Sequence, residues 1–372
     1  MVRARETDAC PGALQTHRAA DGDLVRIRLP GGAITAAQME TVAQASIELA
    51  ASTLELTSRA NLQIRGVRDP AAVAALLADA GLLPSTSHER VRNIVASPLS
   101  GRAGGLCDVR GLVAALDTAV QADPALAALP GRFLFGIDDG RGDISGLGAD
   151  AGVHALDTST AAVLLAGRDT GVRIPLDAAV DELLGVARRF LDLRGKHWRV
   201  RELDDPMLLV RGRDAAAPPG ATWPPVTRPP IGWIDQDDGR IALGAAVPLG
   251  VLDAQLARYL AAVEAPMAVT PWRSMLLFDL EEEVADVALR VLAPLGLIFD
   301  ENSPWLSVSA CTGSPGCAQS AADVRADAAA AVDPAAPGHR HFVGCERACG
   351  SPAHAEVLVA TGDGYRSRKA HP

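Results

Sequence analysis

Two stretches of this chain read in the same order, and that internal duplication restricts the fold more than any other feature. The first begins at Leu24 (LVRIRLPGGAITAAQ, running to 67) and the second at Gly239 (GRIALGAAVPLG, running to 280). In each, an alternating strand leads into a Pro/Gly turn, Pro30 to Gly32 and Pro248 to Gly250. A helix follows, with apolar residues at helical spacing: Met39, Val42 and Ala43, then Leu256, Tyr259 and Leu260. A second strand is expected over 57–64 and 270–278, and a second helix over 70–80 and 282–294. This β-α-β-α order, used twice, predicts an α+β protein whose two half-units pair their sheets around a pseudo-twofold axis.

The rest of the chain is organised around that pair. Residues 214–231 hold six prolines and little apolar periodicity, which reads as a linker. Between the first repeat and the linker lies a mixed segment, with strands expected at 132–137 and 162–166 and a helix at 179–193. The length of 372 residues exceeds one ordinary core. Aromatics are 3% of the chain, so its cores must be built from Ala, Val, Leu and Ile. A net charge of −10 argues against a general nucleic-acid binder. No apolar run reaches the length of a membrane span and 1–14 has no apolar leader, so a soluble cytoplasmic protein is expected.

The tail carries the chemistry. Cys311 and Cys317 are spaced C-x5-C, and Cys345 and Cys349 are spaced C-x3-C. Four thiolates are what a 4Fe–4S cube takes, one per iron. Gly313, Gly316, Gly344 and Gly350 let backbone N–H groups approach the cluster sulfides. A helix over 318–332, starting beside Cys317, would add its dipole to that field. Structural zinc prefers spacings of about two to four residues and fits C-x5-C poorly. Disulfides are not expected without an export signal. Cys10 and Cys107 lie outside the pattern and read as ordinary thiols.

Around these residues a family likeness appears. TSRANLQIRG (57–66), VRNIVASP (91–98) and the cysteine tail resemble the sulfite and nitrite reductase family. The resemblance implies ferredoxin-like half-domains at 1–83 and 232–300. It also implies a redox, tetrapyrrole-binding domain at 84–213 and a cluster-binding segment at 301–372. DACPGAL (8–14), RNIVASPLSG (92–101), LPGRFLFGIDDG (129–140) and TPWRSMLLFDL (270–280) look like the precorrin-3B synthase class. That class implies O2-dependent hydroxylation of precorrin-3A at C20, with lactone formation, in aerobic cobalamin synthesis. It implies a 4Fe–4S cluster and a mononuclear non-haem iron, with the macrocycle lying where sirohaem lies in the reductases. Cys349 would be the ligand nearest the macrocycle. The reductases carry lysine–x–lysine after Leu-Pro, over the reacting oxyanion. Here those positions are Arg132 and Leu134, which weakens oxyanion reduction and suits O2 beside a hydrocarbon ring.

A precorrin-type macrocycle is rimmed by carboxylates, which arginine reads with its fork of N–H donors. Arg59, Asn61, Gln63 and Arg65 alternate and are expected on one strand face, as a substrate-binding set with Arg90, Arg92, Asn93 and Arg132. A solvated sheet face is the plain alternative. Arg273 is a weaker candidate, and the arginines of 194–201 read as a surface edge. For mononuclear iron, Asp138, Asp139, His154 and His197 have suitable atoms, but no close spacing assigns any of them. His339 and His341 read as loop residues. With no G-x-G-x-x-G fingerprint, electrons are expected from a separate NAD(P)H-linked protein, and the chain is expected to be a monomer. The alternatives are a short sirohaem-dependent sulfite or nitrite reductase and a non-catalytic cluster carrier.

Overall fold

The computed structural model describes residues 10–336, 338–352 and 354–368, so Asp8 and Ala9 of the DACPGAL motif lie outside the described residues. The protein is α+β. The first repeat contains β1 (His17–Ala19), β2 (Gly22–Ile27), β3 (Ala33–Ile34), α1 (Ala36–Leu49), β4 (Thr53–Leu56), β5 (Leu62–Val67) and α2 (Pro70–Asp79). Local chemistry sets these limits. Thr35 and Gln38 form a reciprocal capping box at the start of α1. Asp69 caps α2, with Pro70 in its first turn.

A mixed α/β domain follows, with β6 (Ile94–Ala96), α3 (Arg110–Ala122), β7 (Phe135–Asp138), β8 (Ala151–Ala155), β9 (Thr160–Leu165), β10 (Arg168–Pro175) and α4 (Ala179–Leu193). Its sheet runs β10-β9-β8-β7-β6, with β6, β7 and β8 parallel. Three of the chain's few aromatics, Phe133, Phe135 and Phe190, stack in its core with ring centroids 5.0 Å apart. The proline-rich stretch is a strap on this domain: Ala215 and Thr222 bridge to β10, and Trp223 stacks on His154 at 4.3 Å.

The second repeat holds β11 (Gly232–Asp235), β12 (Ile241–Ala246), β13 (Val251–Asp253), α5 (Ala254–Ala261), β14 (Met267–Val269), β15 (Ser274–Leu280) and α6 (Glu282–Leu292). The last segment holds β16 (Val308–Ala310), α7 (Val324–Ala330), β17 (Arg340–Val343), β18 (Glu356–Ala360) and β19 (Tyr365–Arg368).

The repeats do more than pair: each lends a strand to the other. The first sheet runs β1-β2-β5-β4-β13 and the second β11-β12-β15-β14-β3. One core results, in which Val25, Leu54 and Ile64 pack with Leu243, Leu252 and Leu277 while α1 lies on α5. Gly32 marks the crossing. Its φ is +77°, and a Cβ there would lie 2.0 Å from the carbonyl oxygen of Val269.

Two expectations about the repeats are corrected. Residues 57–64 and 270–278 are not single strands; each contains the tight turn of a hairpin, β4–β5 and β14–β15. The turns match: Ala60 and Arg273 have φ of 55° and 59°, and each donates to the threonine three residues back. Tyr259 is 44% exposed, because the short α5 buries Leu256, Ala257 and Leu260 instead.

Candidate metal and macrocycle site

Parallel pairing of β16 with β17 brings the cysteine loops together. Cys311 follows β16 directly, and its N–H donates to the carbonyl of Phe342 at 2.9 Å. Cys345 lies just beyond β17, and Gly344 N–H donates to Cys311 Sγ at 3.3 Å. A Cβ on Gly344 would meet Ser320 Oγ at 1.8 Å, so only glycine fits there. All four thiols are free, and burial together with the nearby Cys311, Cys345 and Cys317 thiols pushes the Cys349 thiol up. The other three thiols thus lie within electrostatic reach of Cys349. A four-thiolate zinc site, with bonds of about 2.3 Å, would bring its sulfurs to about 3.8 Å. Among the described residues, no three thiols lie within 4.8 Å of one another.

The surrounding residues correct two expectations. The helix in this segment is α7, with Asp323 as its cap, so its N-terminus does not adjoin Cys317. Residues 318–323 are turns whose backbone bonds serve the loop: Ser320 N–H reaches Cys317 and Ala321 N–H reaches Gly344. His341 is a fully buried residue of β17, not a loop residue. Its Nε2 lies 3.0 Å from the carbonyl of Cys349 and must donate to it, so Nδ1 accepts from Ser309 Oγ at 2.8 Å. Ser309 Oγ also lies 2.7 Å from His339 Nε2. Burial pushes both rings down to about 4, and they stay neutral.

Each repeat sends one arginine to these loops. Arg65 Nη2 donates to the carbonyl of Gly316 at 2.7 Å while Asp21 holds its fork. Arg273 Nη2 donates to the carbonyl of Gly350 at 3.2 Å.

From the cysteine loops a polar strip crosses the first sheet on the side away from the core. In register, Arg26 of β2 faces Gln63 of β5, which faces Glu55 of β4. Arg26 donates to Gln63 Oε1, Gln63 donates to Glu55, and Arg325 of α7 closes on Glu55. The registered positions in the second sheet are Gly244, Leu276 and Ala268, and that face is apolar, with Phe278 beside it. The two pseudo-equivalent faces therefore differ, the first carrying charged and polar side chains where the second is apolar.

Beyond Arg26 the strip continues into Arg28 and Arg59. Arg28 is 3% exposed; it donates to the carbonyls of Pro11 and Arg90, yet its Nη1 has no partner. Burial and the charge of Arg26 push it down to about 9. Burial and Arg199 push Arg59 down to about 10. Cys10 borders both guanidiniums.

The candidate arginines separate accordingly. Gln63 and Arg65 share the strip, but Arg59 and Asn61 do not alternate with them, because both belong to the hairpin turn. Asn61 is buried, accepting from Leu29 N–H at 2.8 Å and facing Asn93, which donates to Gly131 and Arg90. Those two asparagines hold backbone. Arg92 closes its fork on Asp117 at 2.7 and 2.8 Å. The half-buried Arg90 offers its carbonyl to Arg28. Arg132 is exposed and stacks over Trp198, while Leu134 is buried with Ala60, Val95 and Ile144. Arg199 is no surface edge: its side chain is 13% exposed and held by buried Asp150. Sequence reasoning missed Arg26, Arg28, Glu55 and Arg199. The available signal was the alternation V-R-I-R-L at 25–29, read as strand alone.

Asp138, Asp139 and Asp143 bring oxygens within 4.8 Å of one another, but the group is closed. Burial alone would raise Asp138, yet His154 and the N–H groups of Gly142 and Ser145 outweigh it and hold the carboxyl below its usual range. Arg141 takes Asp139, and Ser97 donates to Asp143 at 2.6 Å. These bonds make the group a clasp on its own loop. His197 stands apart, in a turn with Arg194.

Comparison with known proteins agrees with this architecture. Residues 16–80 match the nitrite/sulfite reductase ferredoxin-like half domain. A precorrin-3B synthase from Sinorhizobium sp is 28% identical over 98% of this chain and 83% of its own length. A ferredoxin–nitrite reductase from Leptolyngbya laminosa is 32% identical over 30% of this chain and 23% of its own. The structure of the Mycobacterium tuberculosis NirA protein superposes with a TM-score of 0.74 at 20% identity, covering 93% of this chain and 73% of that one. The chain thus has the nitrite/sulfite reductase fold, carries that family's ferredoxin-like half domain, and resembles precorrin-3B synthase along nearly its whole length.

Proposed function

We propose that this chain is an oxygen-dependent precorrin-3B synthase. It hydroxylates precorrin-3A at C20, with lactone formation, in aerobic cobalamin synthesis. The substrate gains one atom of O2; the other leaves as water, with two protons and two electrons from a separate NAD(P)H-linked donor protein. The observation that carries this reading is the polar strip from the cysteine loops through Gln63 and Arg26 to Arg28 and Arg59. It suits a flat ligand with carboxylates on its rim.

Cys311, Cys317, Cys345 and Cys349 would hold a 4Fe–4S cluster, whose chemistry when bound is one-electron transfer. The protein's own residues do the rest. Arg26, Arg28 and Arg59 bind rim carboxylates and fix the macrocycle's orientation, so positioning supplies much of the rate. Arg28 Nη1 is a buried donor that a carboxylate would satisfy. Leu134 keeps the face apolar and short of water. No described group of residues fits a mononuclear iron, because the one close set of carboxylates is already bonded within itself; no step is drawn through such an ion.

Leu134 and the outward turn of Arg132 count against a sirohaem-dependent sulfite or nitrite reductase, which needs cations over its oxyanion. The test is anaerobic incubation of reduced protein with precorrin-3A, followed by O2. A product heavier by one oxygen atom, formed only with O2 and donor, is expected. Turnover of sulfite or nitrite, with precorrin-3A unchanged, would overturn the reading.

A further inference from the structure

The loop carrying Arg132 is gripped from two sides. On one, the carbonyl of Gly131 accepts from Arg59 Nη1 at 3.3 Å. On the other, Leu134 N–H donates to Asp150 Oδ2 at 2.9 Å. Asp150 is 1% exposed and also binds Arg199, whose Nε lies 2.9 and 2.7 Å from its two oxygens. Arg199 Nη2 donates to the carbonyl of Gly148 at 3.0 Å, and Val200 N–H to Asp150 at 2.7 Å. These bonds fix the guanidinium and leave its Nη1 outside them. Arg59 spends only Nη1 on the protein; among the described residues its Nε and Nη2 have no acceptor.

Both guanidiniums thus serve one short loop, Arg59 at Gly131 and Arg199 through Asp150 at Leu134, and after burial Arg199 is the largest cause of Arg59's lowered affinity for its proton. Asp150 is paired with Arg199, and the Arg59 guanidinium bonds only a carbonyl, which leaves an excess positive charge in a half-buried position. Such an arrangement is costly unless an anion joins it. A carboxylate does so with the right geometry, because it offers one oxygen to each arginine.

We propose that Arg199 is the second jaw of a carboxylate clamp with Arg59, closing on one peripheral acetate carboxylate of the substrate. The proposal rests on the tetrapyrrole reading above and deepens it. One jaw comes from a turn of the first half-domain and the other from the mixed α/β domain, so the clamp selects among macrocycles by whether a carboxylate occupies that place. Arg199 is thus a specificity-determining residue.

The test titrates the full chain, purified anaerobically with its cluster, with octacarboxylate uroporphyrin III and tetracarboxylate coproporphyrin III, read by fluorescence quenching. The variants are Arg199→Lys, which keeps a cation opposite Asp150 but loses the fork, and Arg199→Met with Asp150→Asn, which leaves no buried charge unpaired. Both are expected to lose about tenfold in uroporphyrin affinity and less than twofold in coproporphyrin affinity, since each good bond to a charged group is worth about a factor of ten. A purely structural role would lower both affinities together and would overturn the clamp. So would variants that bind both porphyrins as the parent does. If the parent protein binds neither porphyrin, the tetrapyrrole reading itself falls.

Discussion

Arg65 Nη2 donates to the carbonyl oxygen of Gly316 at 2.7 Å, tying a strand of the first half-domain to the loop that presents Cys317, 251 residues further along the chain. Asp21 orients the fork from the other side. Arg273 does the matching work from the second repeat, at Gly350. The cysteine loops are therefore positioned by both repeats, although neither repeat contains any of the four cysteines.

Arg65→Ala removes that bond and leaves Asp21 without its partner. A hydrogen bond to a charged group contributes about 1.5–3 kcal/mol, and the loss falls on the loop before Cys317. The variant should fold, with circular dichroism unchanged, but lose iron and sulfide to a chelator several times faster than the parent. Equal rates of loss would remove Arg65 from the cluster's support.

The strand exchange makes the two half-domains one cooperative unit. Leu252 lies on β13, within the sequence of the second repeat, but packs in the first sheet beside Leu54. Leu252→Ala should cost about 2–5 kcal/mol. Hydrogen exchange should speed up in β4 and β5 of the first repeat as well as near α5. Faster exchange confined to the second repeat would contradict the exchanged topology.

Asp143 supplies a pH signature. Burial, reinforced by Asp138 and Asp139, pushes its carboxyl up to about 7. The folded state therefore holds this proton more tightly than the unfolded chain, whose carboxyl titrates near 3.9. The stability it contributes is fully present below about pH 4 and is lost as pH rises through about 7. In Asp143→Asn that loss is absent. Urea unfolding should show the variant gaining on the parent between pH 4 and 8, by at most about 4 kcal/mol. A constant difference across that range would mean that Asp143 titrates normally.

Much of this was legible in the sequence, for identifiable reasons. The cysteine spacing is local, and so are the caps and turns that repeat around Pro30 and Pro248. The limits of α4 also follow from local periodicity. What escaped is non-local. Nothing in residues 33–34 or 251–253 says that each pairs with the other repeat. The turn at Ala60 hides inside an alternating pattern, because alanine gives no sign of a positive φ. Arg92 and Arg199 look interchangeable as basic residues until their partners, Asp117 and Asp150, are known. Those partners send Arg92 onto α3 and hold Arg199 beside Arg59.

The central claim is that the four cysteines hold a 4Fe–4S cluster beside a tetrapyrrole substrate site that carries no resident haem. Anaerobic purification, with iron and sulfide analysis and extraction of pigment, tests it most directly. The account predicts about four irons and four sulfides per chain for the cluster, no extractable sirohaem, and loss of the cluster in Cys317→Ser. Stoichiometric sirohaem, or intact protein without iron and sulfide, would contradict it.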